Sequence, residues 1–516
     1  MTVWLLGDQL NADAAPLSDG ERVLLVEAHG FAARRPYHPQ KLTLLFAAMR
    51  RFRDELRDAG HEVVYLRAER FGAALDEYFD RYPGDELTLM RPASHGAVDR
   101  LRELVGERGG ELSVVPNALF LTTPAEFDAW AAGRDGDGGF RQEDWYRHVR
   151  RETGYLTDGD DPVGGEWNYD EENRETPPED WRAPPTPTFE DEYVAETASW
   201  VRERFDGWGN DAFDPAAFPW PASRADALRA LDHFVEHRLP EFGPYQDAML
   251  DDEWALAHSL LSSSLNLGLL RPAETVEAAV EAYETGDAPI HSVEGFVRQV
   301  IGWREYMRHV YRREMPAMGE ANQLGLDRDL PPAYWASGGD DAGNASASGD
   351  DTDMRCLSAA VSGVWERGYA HHIERLMVLS NFALLYGADP HELNEWFHAG
   401  FVDAYHWVTT PNVVGMGTFA TDVLSSKPYA ASGNYVNRMS DHCADCPYAV
   451  SRTTGEGACP FNALYWDFLA EHEERLRGTG RMGLVYSHLD DKRGTDLAAI
   501  RDRAADLRER AADGDL

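Results

Sequence analysis

The sequence predicts an α/β N-terminal domain, a doubly wound parallel sheet, followed by a large all-α domain. Three observations carry this expectation. Short apolar, β-branched runs alternate with helical patterns over residues 1–130. After residue 225 no strand-like run recurs, and apolar residues return at helical spacing. Between the two lies a stretch too rich in Pro and Gly to pack regularly. At 516 residues the chain also exceeds what one core usually supports, about 250–300 residues.

The elements follow in order. "VWLLGD" (3–8), "RVLLVEA" (22–28), "HEVVYLRA" (61–68), "ELTLM" (86–90) and "ELSVVPN" (111–117) read as strands. "PQKLTLLFAAMRRFRDELRDAG" (39–60) reads as a helix, with Pro near its start and Gly at its end. Ligands of such sheets bind beyond the C-terminal ends of the strands, and Gly7, Asp8, Gln9 and Glu27 lie at such ends. No GxGxxG occurs there, so a standard dinucleotide site is not expected. Residues 131–225 read as an irregular linker wrapping the surface. It carries a basic, aromatic island, "WYRHVRRETGYL" (145–156), followed by "PVGGEWNYDEENRE" (162–175); in an acidic chain this is either a binding element or a domain-docking patch. Residues 226–516 read as helical, interrupted by a low-complexity loop at 337–351 that is expected to be mobile. The tail after Gly494 reads as a solvated acidic and Arg-rich helix.

Charge says more about habitat than about partner. There are 90 Asp and Glu against 49 Lys and Arg, a net −41, and only three lysines, Lys41, Lys427 and Lys492. Acidic residues spread along the whole chain point to a hydrated surface adapted to high salt, and weaken a simple nucleic-acid reading. No apolar run reaches 18 residues, so no membrane span is expected. "MTVWLLGDQL" has no basic segment ahead of an apolar stretch. The expectation is a cytoplasmic protein, where disulfides are rare.

The four cysteines therefore suggest metal. Cys443-x2-Cys446 places two thiolates on one site; Cys459, followed by Pro460, and the distant Cys356 complete a set of four. The set suits a tetrahedral zinc or an iron–sulphur cluster, and the terminal Cys-Pro favours the cluster. "HSLLSSSLNLGLL" (258–270) offers hydroxyls leading into an apolar stretch, able to cap a helix or hold phosphate. "RQVIGWREYMRHVY" (298–311), "YAHHIERLMVLSNF" (369–382) and "EWFHAGFVDAYHWVTTPNVVGMG" (395–417) set Trp, Arg, His and Asp among apolar residues. Each of these alone is explained by ordinary helix packing.

Together and in this order, the motifs resemble the iron–sulphur-containing prokaryotic branch of the photolyase/cryptochrome superfamily, the bacterial (6-4) photolyases and their cryptochrome relatives. The resemblance runs from "LLGDQL" through "RRETGYL", "GGEWNYDEENR", "SLLSSSLNLGLL", "GWREYMR" and "GYAHHIERLMVL" to the cysteines. It implies a U-shaped FAD in the all-α domain, touched by Tyr245, His258, Ser259, Leu261 and Ser262, lined by Trp303, Arg304 and Arg375, with Asp403 facing the ring. It implies a [4Fe–4S] cluster on Cys356, Cys443, Cys446 and Cys459. It also implies a 6,7-dimethyl-8-ribityllumazine antenna at Gly7, Asp8, Gln9 and Glu27, with His38 as a further candidate. The activity implied is light-driven repair of (6-4) photoproducts in UV-damaged DNA, with His372 as proton donor and His371 beside it. Lys427, Tyr429 and Tyr435 would touch lesion or backbone, and Trp396 and Tyr405 would relay electrons. A basic groove for DNA would draw on Arg141, Arg147, Arg150, Arg151 and Arg438. A photoreceptor with the same cofactors, or a non-photochemical cluster protein that binds DNA, are the alternatives.

Overall fold

The five apolar runs become the strands β1 (Thr2–Leu5), β2 (Arg22–Ala28), β3 (Glu62–Ala68), β4 (Glu86–Met90) and β5 (Glu111–Val115). The computed structural model describes residues 2–132, 134, 141–336, 352–479 and 482–516. All pairs within this five-stranded sheet are parallel, in the order β3-β2-β1-β4-β5. Alternation decides the faces. Val3, Leu5, Val23 and Leu25 pack toward helix α1 (Pro39–Asp58), whereas Trp4, Leu24, Leu87 and Leu89 pack toward α2 (Phe71–Arg81) and α3 (Ala97–Gly106). Strand order reverses at β1, so the crevice for a ligand opens beyond the end of β1, where Gly7, Asp8 and Gln9 follow.

The linker is more regular than expected. Beyond α4 (Pro124–Ala132), it forms α5 (Gln142–Thr153) and α6 (Glu192–Arg204). α5 buries Trp145, Tyr146 and Val149 against the 298–304 segment, while α6 returns to pack on α1. The basic island is thus a docking element. Its Arg150 is fully buried and donates to the carbonyls of Tyr155, Leu156 and Trp167. This corrects the expectation that Arg150 contacts DNA: its fork is saturated by the chain that follows it.

The rest is helical, as expected. The C-terminal helix Leu497–Asp513 corrects the reading of a solvated tail, because Ile500, Ala504, Leu507 and Ala511 are buried against the helix Pro460–Glu471 and Arg508 bonds Asp467. The 337–351 loop lies outside the described residues. No described helix is long and apolar enough to cross a membrane.

α1 ties the two domains together. His38 caps it, accepting from the Gln40 N–H (3.2 Å) while its Nε2 meets the Trp365 carbonyl (2.8 Å). Lys41 donates to the carbonyls of His398 (2.7 Å) and Ala404 (2.9 Å), and burial pulls its ammonium down to about 7. With both ring nitrogens of His38 engaged, its candidacy for the antenna is corrected to a structural role.

Candidate flavin, lesion and metal sites

Three helices of the second domain each widen into a π-helical turn, at Arg298–Arg304, Glu374–Ser380 and Pro411–Gly417. Such turns are costly to hold and gather at functional sites. They meet directly: Trp303 Nε1 donates to Asn412 Oδ1 (2.9 Å). The same turns carry Arg304 and Arg375. Arg375 grips both oxygens of Asp403 (3.0 and 3.0 Å), and Ser262 Oγ donates to Asp403 Oδ2 (2.7 Å). Burial alone would raise the Asp403 carboxyl; Arg375 and Ser262 hold it below its ordinary value. The three expected residues Ser262, Arg375 and Asp403 thus form one ionic centre around a buried carboxylate.

Around it lies unsatisfied polarity. Ser263 Oγ, Ser264 Oγ and Arg304 Nε are buried without hydrogen-bond partners, although Arg304 reaches the Leu265 carbonyl (3.2 Å) and burial lowers its guanidinium to about 10. Orphaned donors next to one another are what an oxygen-rich ligand satisfies. The loop before them is strained: Leu256 and Leu260 hold positive φ (43° and 57°), unusual for non-Gly residues. Arg238 pins the Leu256 carbonyl (2.6 Å). Ser259 and Leu261 lie in this loop. Tyr245 is half-buried and meets Trp181 edge-on (5.3 Å).

His258 goes elsewhere. Its ring stacks on His371 (4.7 Å between centroids) and meets His372 edge-on (5.3 Å). Burial, and then the neighbouring histidines, hold His258 and His371 well below their ordinary values. His372 is half-exposed and its Nε2 faces Asp247 Oδ1 (3.3 Å). Tyr435 senses Asp247, Arg174 and Arg438, so it shares this rim. Tyr429 and Lys427 are exposed on the segment before it. Arg141, Arg151 and Arg438 are also exposed, while Arg147 pairs with Glu143 (2.7 Å). Asp247 carried no signal in the sequence, being one acid among 90.

Trp396 is fully buried and is one step in a chain of aromatic contacts. Phe401 lies under Arg375 (4.3 Å) and meets Trp396 (5.7 Å). Trp396 meets Trp208 (5.8 Å), and Trp208 meets Trp335 (5.5 Å), which is 39% exposed. Trp208 and Trp335 were missed because each sits in a separate irregular stretch, and only the fold brings them together. Tyr405 lies off this chain, close to Asp8 and Asp403, which with burial raise its phenol.

The cysteines share one pocket. Cys356, Cys443, Cys446 and Cys459 line it together, with Met354, Val436, Tyr448 and Phe461 as its apolar wall. Burial, and then the other three sulphurs, push the Cys356 thiol well up. No three of these sulphurs lie within 4.8 Å of one another. One tetrahedral zinc, with Zn–S of about 2.3 Å, would hold them about 3.8 Å apart. The floor must stay small: a Cβ on Gly433 would lie 2.7 Å from Cys459 Sγ.

In the first domain, Asp8 is only partly covered, and burial raises its carboxyl to about 6. Gln9 is buried and donates to the Met90 carbonyl (2.9 Å). Gly7 faces Met49 and Leu45 of α1. Glu27 is fully engaged by Arg50 (2.8 and 3.1 Å), His29 (2.9 Å) and Tyr65.

Known proteins resemble this chain in sequence and fold. The family described as "Deoxyribodipyrimidine photo-lyase-related protein" matches residues 3–214. Two solved structures share the fold: a bacterial class III photolyase from Agrobacterium tumefaciens (TM-score 0.54, 19% identity, 85% of this chain and 86% of that one) and the cryptochrome of Synechocystis sp. PCC6803 (TM-score 0.53, 16% identity, 85% and 88%). The (6-4) photolyase of Agrobacterium fabrum is 39% identical over 498 residues, 94% of each chain. With that identity sustained from end to end, the chain belongs to the photolyase/cryptochrome superfamily, in its bacterial (6-4) photolyase branch.

Proposed function

We propose that this protein repairs (6-4) pyrimidine photoproducts in DNA with light, using FAD. The observation that carries the reading is the half-exposed His372, set beside the buried His371 and one helical turn from the Arg375–Asp403 centre. FAD bound here would supply a light-driven electron to the lesion. The chain supplies the rest. Ser259, Leu261, Ser262, Trp303, Arg304, Arg375 and Asp403 would hold the flavin, with Tyr245 at the edge, and the orphaned Ser263, Ser264 and Arg304 atoms fit an oxygen-rich ligand. A damaged dinucleotide must leave the duplex to be reached; Tyr429 and Tyr435 would stack on it, with Lys427, Arg141, Arg151 and Arg438 on the backbone. His372 would hold the proton for the lesion oxygen, because it is the imidazole of the three that faces solvent.

The cysteine pocket supports a [4Fe–4S] cluster over zinc, because its sulphurs stand too far apart for one small ion. Iron and acid-labile sulphide should co-purify; about one zinc per chain and no iron would overturn this. Gly7, Asp8 and Gln9 suit the lumazine antenna, since Asp8 is a carboxyl left free at the strand end, whereas Glu27 is taken up by its own neighbours. The acidic surface suits a cytoplasm of high salt, where counterion release adds little to DNA binding and lesion stacking carries more. The test is illumination of a (6-4)-containing oligonucleotide with reduced protein in concentrated salt. Restored pyrimidines support repair. Lesion binding without repair would transfer the reading to a photoreceptor with the same cofactors.

A further inference from the structure

We propose that His258, His371 and His372 form a binding site for a divalent transition-metal ion of the zinc class, and that metal bound there blocks repair. The second half rests on the function proposed above; the first does not. One ring nitrogen from each residue lies within 4.8 Å of the other two. Two of the rings are almost wholly enclosed, His258 at 6% and His371 at 1% exposure, and His258 Nε2 and His371 Nδ1 have no hydrogen-bond partner. A buried nitrogen lone pair without a partner is a cost that a ligand removes.

The far sides of the rings point the same way. His371 Nε2 lies 3.5 Å from Glu374 Oε2, and His372 Nε2 lies 3.3 Å from Asp247 Oδ1. A carboxylate behind an imidazole fixes its tautomer and strengthens the opposite nitrogen as a donor, the arrangement found behind metal-ligating histidines. His371 then keeps Nδ1, its unpartnered nitrogen, as the donor. Arg238 and Arg375 also face His258, but Arg375 is neutralised by Asp403. Three imidazoles select zinc or copper over magnesium, which prefers oxygen ligands. His372, half-exposed, gives the ion its entry. A metal on these rings takes the lone pairs that would carry the proton, so His372 could no longer deliver it.

The experiment is calorimetric titration of the flavin- and cluster-loaded protein with Zn²⁺, with iron and sulphide assayed before and after. One Zn²⁺ should bind per chain with iron retained. His372→Ala, a change at an exposed side chain that spares the fold, should weaken binding on the order of tenfold or more, as should His258→Gln and His371→Gln. Zinc binding unchanged in all three variants, or zinc that displaces iron, would overturn the site. Saturating Zn²⁺ should stop repair by the wild type, and chelation should restore it. Zinc bound at the triad with repair undiminished would overturn the inhibition. If the protein repairs nothing even without zinc, the function fails, while the titration still decides the site.

Discussion

His372 and His371 are neighbours in sequence with opposite environments, 44% and 1% side-chain exposure. The exposed ring can meet a substrate; the buried one is held by packing. His372→Ala should therefore leave flavin content, cluster and lesion affinity intact and cut single-turnover repair by about 10²–10⁴. Repair at the wild-type rate would move the proton to His371. Asp8 gives a prediction in pH. Its folded value, raised to about 6 from 3.8 by burial, means that the folded state holds this proton more tightly than the unfolded chain does. The stability this contributes is present below pH 3.8 and is lost as pH rises through 6. Asp8→Asn should thus match the wild type near pH 3.5 and exceed it above pH 6, by no more than about 3 kcal/mol. Denaturant midpoints at the two pH values would show it. The same variant should bind less antenna chromophore, which absorbance of the purified protein reads.

At the level of elements, the strands were legible because each is a short apolar run closed by Gly, Pro or charge; four fall within two residues of their expected bounds, and β1 ends three residues early, at Leu5. The widened turns at Arg298, Glu374 and Pro411 were not legible. Their residues carry ordinary helical spacing, and only the packing of three helices around one centre forces the extra residue. The Ser262–Arg375–Asp403 centre was legible through motifs, whereas the partner of His258 was not, since nothing local distinguishes a histidine beside a flavin from one beside other histidines. α5 shows the same limit. Its basic residues suggested DNA, yet Arg150 turns inward onto three carbonyls. Arg150→Met should leave the half-buried Tyr155 and Trp167 carbonyls without this donor, at about 1–3 kcal/mol each, while the Leu156 carbonyl keeps the Val163 N–H. The urea midpoint should fall sharply, with DNA affinity per folded molecule unchanged. A loss of DNA affinity without loss of stability would return Arg150 to the groove.

Across the whole molecule, the aromatic chain joins parts that are remote in sequence. Trp208 comes from the linker, Trp335 from the residues just before the 337–351 loop and Trp396 from the helix Pro390–Gly400. Trp208 is fixed by its Nε1 hydrogen bond to the Trp335 carbonyl (2.9 Å), which keeps the two rings in contact as the linker passes over the helical domain. The series starts under Arg375 and ends at solvent, so under the proposed function it would offer an electron from an external reductant at Trp335 a continuous run of rings toward the candidate flavin site. Trp208→Phe should slow photoreduction of the oxidised flavin as much as Trp396→Phe does, since either change interrupts one series. Repair by enzyme already reduced chemically should be spared in both, because that electron leaves the flavin for the lesion and does not use the chain. Trp254→Phe, at a tryptophan packed on Trp220 and Tyr369 and outside the series, is the control and should reduce normally. Photoreduction at the wild-type rate in Trp208→Phe would remove the linker from the route, and Tyr334, which Trp396 meets edge-on at 5.1 Å, is itself fully buried and offers no exit to solvent.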